Sequence, residues 1–149
     1  MTHSYSRALR TAAALLVASL GLASLSQAQE VASEGWNDIS VEEWRDMVQG
    51  RTVTYNAGGQ FWANEVYHPS TNHVMIQVAD GTCMEGSGSY ERGIYCFAWI
   101  DAPTSCFRHV REGGEILIIP IVDGAPAGSV QTVAGVSDIP LKCGPDLTS

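Results

Sequence analysis

RTVTYNAGGQFWANEVYHPSTNHVMIQVADG, residues 51–81, decides the fold. Residues 51–56 are rich in β-branched side chains and alternate along the chain, the period of a pleated strand. Ala57, Gly58 and Gly59 then turn the chain, and residues 60–68 (QFWANEVYH) run back with the same period. Residues 69–72 form a loop, and residues 74–78 (VMIQV) make the next strand. Asp80 and Gly81 are a strong turn pair. Strands joined in sequence by turns this short pair antiparallel.

The pattern continues toward the C-terminus. Residues 82–90 are rich in Gly and Ser, a weak strand with room for bulges. Residues 94–100 (IYCFAWI), 106–111 and 115–122 (EILIIPIV) follow as strands, separated by turns at 91–93, 101–105 and 113–114. Pro120 cannot donate to a ladder and places its run at an edge or a bulge. Residues 130–133 are a short last strand, and 137–149 read as an irregular tail. About eight short strands at regular spacing predict an all-β antiparallel meander curled into a barrel or a sandwich.

Toward the N-terminus the period changes. Ser40 with Glu43 three residues on is a capping box, and Ile39 can staple onto Trp44. Val41, Trp44, Met47 and Val48 share a helical face, and Gly50 suits the left-handed stop. This predicts one short helix, 40–49, packed at one end of the β-structure. Residues 29–39 read as a loose arm. Ahead of them Arg7 and Arg10 precede an uncharged apolar run, 11–25, and Ser26-Gln27-Ala28. That is the pattern of a secretory signal peptide, 1–28, cleaved after Ala28. The apolar run is too short to span a bilayer as a helix, and no second such run follows. The expectation is therefore one domain, 40–149, secreted or periplasmic.

Compartment bears on the cysteines. Cys83, Cys96, Cys106 and Cys143 all lie beyond the leader and meet an oxidising environment. No C-x-x-C is present, which disfavours thioredoxin chemistry and zinc ribbons. In a hairpin turning on 101–105, Cys96 and Cys106 stand opposite each other within disulfide reach. Cys83 with Cys143 would then pin the tail to the sheet. A slipped turn would pair Cys83 with Cys96 instead.

The full chain carries a formal net charge of −8. Removing residues 1–28 takes two of its eight basic residues and none of its sixteen acidic ones, leaving −10. An acidic surface argues against nucleic acid and anionic membranes, which require a basic face.

Chemistry is sparse. His68 and His73 flank the 69–72 loop and could approach a metal with Glu65, a weak set for a site that needs three or four ligands in fixed geometry. His109 lies between Arg108 and Val110 and is expected to face solvent. Ser87 and Ser89 sit in GSGSY, which departs from G-x-S-x-G and has no helix after it. Asp80, Glu85, Asp101 and Asp123 are turn acids. No glycine-rich segment has the spacing to cradle a phosphate, and nothing calls for a cofactor. Should the barrel leave a cavity, Phe61, Trp62, Tyr67, Tyr95 and Trp99 would line it.

The run through Gly50-Arg51-Thr52, Phe61, Tyr67, Asp80-Gly81 and Cys96-Phe97-Ala98-Trp99 resembles a family of small secreted proteobacterial proteins of unknown function, domain of unknown function 995. The resemblance implies a small lipocalin-like barrel outside the cytoplasm and brings no activity with it. Three function classes fit these residues. The first is a non-catalytic binding module for a small apolar ligand or a protein partner. The second is an inhibitor of a hydrolase such as a lysozyme or protease, for which an acidic surface suits a basic target. The third is a metal-assisted hydrolase using His68, His73 and Glu65.

Overall fold

The computed structural model describes residues 35–143, which lie in one compact unit. Residues 1–34, which include the expected signal peptide and the first part of the arm, and the last six residues fall outside the described residues. The elements in chain order are β1 (Asn37–Asp38), α1 (Val41–Val48), β2 (Thr52–Ala57), β3 (Gln60–Tyr67), β4 (His73–Val78), β5 (Cys83–Glu91), β6 (Ile94–Trp99), β7 (Ser105–Glu112), β8 (Glu115–Val122), β9 (Ala125–Pro126) and β10 (Gln131–Ser137).

Strands β2 to β8 each pair with the next in sequence, all antiparallel, and β10 lies between β8 and β2. The eight strands β2 to β8 and β10 therefore close into a barrel, and closure removes the exposed sheet edge. The turns suit this path. At the β2–β3 hairpin Gly58 and Gly59 both take positive φ, 58° and 77°, the combination whose twist matches the flanking strands. Pro120 sits where β8 changes partner, from β10 at Leu117 and Ile118 to β9 at Ile121 and Val122.

The arm is not loose where it meets the barrel. Asn37 and Asp38 pair with Arg111 and Val110, and Arg108 grips the Asp38 carboxylate through two hydrogen bonds, 2.6 and 2.9 Å. Ile39, next along, is buried. The cause is local: an apolar residue ahead of the cap packs into the core and draws the preceding backbone onto β7.

Helix α1 begins as its sequence predicts, with Ser40 Oγ accepting from the Glu43 amide at 3.1 Å. Its buried face inserts Trp44 among Tyr67, Tyr95 and His109, with ring centroids 5.9, 6.4 and 4.5 Å away. Tyr67 and His109 come from β3 and β7, on opposite sides of the barrel, so the indole plugs one end of the interior. The opposite end stays open. A second apolar cluster, Val110, Leu117 and Ile119, occupies the outer face of β7 and β8 beneath Trp36.

Both disulfides follow the first of the two pairings. Cys96 and Cys106 are directly opposed on β6 and β7, with Cα atoms 4.1 Å apart. Cys83 joins Cys143 across 60 positions and holds the chain beyond β10. Among the described residues no helix is long and apolar enough to cross a membrane.

Candidate functional site

The open end of the barrel leads into a cavity of about 230 Å³. Its mouth is set by Trp62, Trp99, Ala102, Pro103, Ser105 and Gln131. Two local features place the indoles there. Between Tyr55 and Asn56 the β2–β3 register shifts, since Tyr55 pairs with Ala63 and Asn56 with Phe61. Trp62 is the extra residue of that bulge, and a bulge re-aims its side chain. Trp99 lies over Gly86, where an added Cβ would come within 2.8 Å of the indole and 2.7 Å of the Ala98 carbonyl oxygen. The first of the two glycines in the GSGS run, Gly86, thus leaves the space the ring occupies. Trp99 Nε1 donates to Ser105 Oγ at 2.9 Å, and the Phe97 ring stacks behind it at 5.7 Å.

The closed end is polar. Ala63, Glu65 and Tyr67 alternate inward along β3, and Tyr55 faces them from β2. Glu65 is only 4 % exposed. Tyr55 Oη and Tyr67 Oη both donate to its Oε2, at 2.8 and 2.7 Å, and no described residue donates to Oε1. Burial raises the carboxyl to a pKa of about 7, against the two phenol hydrogen bonds, which favour the charged form. Burial, and after it the neighbouring carboxyl, pushes both phenols above their ordinary value. A buried carboxyl near neutrality, in a cavity, is the kind of group that marks functional sites.

His109 completes the floor, contrary to the expectation that it faces solvent. It is 1 % exposed, stacked on Tyr95 at 4.0 Å and capped by Trp44. Burial drives its pKa down to about 3, so the imidazole is neutral. Its Nδ1 is buried and makes no hydrogen bond with a described residue. Neighbouring Arg108 and Val110 point outward instead, one to Asp38 and the other beneath Trp36. With Arg108 and Val110 both outward and the polar His109 inward, polarity does not mark the phase of this strand.

Of the five aromatic residues expected to line a cavity, Trp62, Tyr67 and Trp99 do so. Tyr95 donates to the Ile39 carbonyl at 3.1 Å and lines a second groove, beside α1, instead. Phe61 does not contribute. It is 49 % exposed, and the bulge gives the place at the mouth to Trp62, whose indole lines the cavity while staying 38 % exposed.

The proposed metal set is not brought together. Glu65 is inside the barrel, held by two phenols, while His68 and His73 face each other across the 69–72 loop with centroids 4.6 Å apart. The carboxylate beside His73 is Glu85, at 3.5 Å. Among the described residues no group of three or more His, Cys, Asp or Glu could hold a metal ion. The two histidines border a second, larger groove of about 420 Å³ between α1 and the β3–β4 loop, which meets the inner cavity at Tyr67 and Phe97. Among the described residues no carboxylate lines that groove, and Arg45 and the two histidines are its only ionisable side chains besides tyrosines.

Tyr55, Glu65, Tyr67 and His109 were not legible as a unit. The one available signal was phase: a Glu in step with Ala63 and Tyr67 on an inward face. No family model, no curated protein and no solved structure matches the chain.

Proposed function

We propose that this protein is a non-catalytic binding module working outside the cytoplasm, and that it takes a small, largely apolar ligand into the open end of its barrel. The observation that carries the reading is the cavity itself. It is walled by indole and phenyl faces, with a few convergent polar groups at its closed end, the usual composition of a small-molecule site. Its volume suits a single-ring ligand, since an apolar cavity of about 150 Å³ already holds benzene. The placement rests on the two disulfides, which an oxidising compartment maintains, and on the leader-like residues 1–28.

The test is calorimetry of the oxidised protein with 2-phenylethanol, a neutral single-ring probe. One-to-one binding is expected. Trp62→Ala should weaken it several-fold, and Phe61→Ala should leave it unchanged, because only Trp62 faces the cavity. Equal losses in the two variants, or failure of every single-ring probe of this size to bind, would refute the reading.

A further inference from the structure

We propose that the cavity selects a small monocationic amine with a flat apolar body, its ammonium group set against the free oxygen of Glu65. This inference rests on the binding reading above and names the ligand class for the same cavity.

The argument starts from an imbalance. Buried carboxylates in proteins are paired with a cation or satisfied by hydrogen bonds. Glu65 has two donors, and both go to Oε2. Oε1 receives none from the described residues. Among the described residues no Lys or Arg lines the cavity. His109, the only ionisable nitrogen there among the described residues, is neutral because nothing offsets its burial. The site therefore holds an acid with one open oxygen and no counter-cation.

A ligand that brings a cation supplies the missing partner. An N⁺–H to carboxylate hydrogen bond is roughly twice as strong as a neutral one. The walls act in the same sense. The rings of Trp62, Trp99, Phe97 and Phe107 surround the space, and the negative face of an aromatic ring attracts a cation once water is excluded. An anion meets the carboxylate and the ring faces unfavourably. A neutral alcohol can hydrogen-bond Oε1 but leaves the charge uncompensated.

The sign of the pH dependence follows from the groups that face Glu65. These are Tyr55 from β2, Tyr67 from β3 and His109 from β7. The lining residues of β4, β5, β6, β8 and β10 do not ionise: Ile76, Met84, Phe97, Trp99, Ile118 and Gln131. Near neutrality only Glu65 changes charge. An ammonium ligand requires the ionised form, so its apparent affinity falls as pH drops below about 7.

The experiment compares 2-phenylethylamine, 2-phenylethanol and phenylacetate, one skeleton with three charges, against the oxidised protein. At about pH 8 the amine should bind roughly tenfold or more tightly than the alcohol, and phenylacetate most weakly. Below about pH 7 the amine should lose affinity, at most about tenfold per pH unit, until it reaches the level of the alcohol, which changes little. In Glu65→Gln the amine should fall to the level of the alcohol. If that variant does not fold, the wild-type pH profile decides. Equal, pH-independent binding of amine and alcohol would overturn the amine assignment and leave the cavity reading standing. Binding of none of the three would overturn both.

Discussion

Glu65 is the residue on which the chemistry of this barrel turns, and its burial has a consequence for stability. Its carboxyl titrates near 7 in the folded protein and near 4.5 as a model group, so between those values the native state holds a proton the unfolded chain has released. The contribution of Glu65 is fully present below about pH 4.5 and is lost as pH rises toward 7. His109 works in the opposite direction. It is neutral when folded and takes a proton below about 6.5 when unfolded, so its contribution is lost as pH falls from 6.5 toward 3. The two slopes oppose each other between about pH 4.5 and 6.5. The Glu65→Gln variant isolates one of them. Relative to wild type it should gain up to about 3 kcal/mol of stability between pH 4.5 and pH 7. Urea unfolding at a series of pH values checks this, and a pH-independent difference would contradict it. Tyr67→Phe removes a hydrogen bond that favours the carboxylate, so it should raise the Glu65 titration further. The side-chain carboxyl ¹³C shift reads that directly. None of this shows in composition, because one inward Glu among sixteen acidic residues has no signature except its phase along β3.

At the level of elements, the sequence is most legible where local chemistry and tertiary packing agree. The capping box, the staple and Gly50 predict α1 to within a residue, and the opposed cysteines predict the β6–β7 register. The β3 bulge is not legible, since no glycine or proline marks it. It comes from barrel curvature, and it exchanges Trp62 for Phe61 at the mouth. Trp44 carries the docking of the helix. Trp44→Ala should cost about 3–5 kcal/mol in denaturant unfolding, and an unchanged midpoint would mean that α1 is not anchored by this ring. Gly86→Ala tests the β5–β6 contact. Its methyl group needs space that the Trp99 indole holds, so it should displace the ring and shift the Trp99 fluorescence. Turn chemistry adds a smaller effect at Arg92, which holds φ at 50° without being glycine. Replacement by Asn should stabilise the hairpin by about 0.5–1 kcal/mol, read as a raised Tm.

Taken as a whole, the molecule closes because a regular meander of eight strands brings β10 back beside β2, with β8 on its other flank. Strand count and alternation were readable. Barrel against sandwich was not, because both bury one face of each strand and produce the same period of two. Nor was the hollow interior, which depends on how far Trp44 reaches from one end and how little fills the other. One disulfide joins β6 to β7 and the other ties the chain beyond β10 to β5. Reducing Cys83–Cys143 opens a loop of 60 residues and should cost about 4 kcal/mol by chain entropy, against about 3 kcal/mol for Cys96–Cys106. Cysteine-to-serine pairs measured by thermal unfolding give the comparison. The binding cavity itself is tested most directly by the four indole N–H resonances of Trp36, Trp44, Trp62 and Trp99 in a ¹⁵N-labelled sample titrated with 2-phenylethylamine at about pH 8. Saturable shifts are expected at Trp62 and Trp99, with Trp36, on the outer face, unmoved. Shifts at Trp36 alone, or none that saturate, would contradict a ligand site inside the barrel.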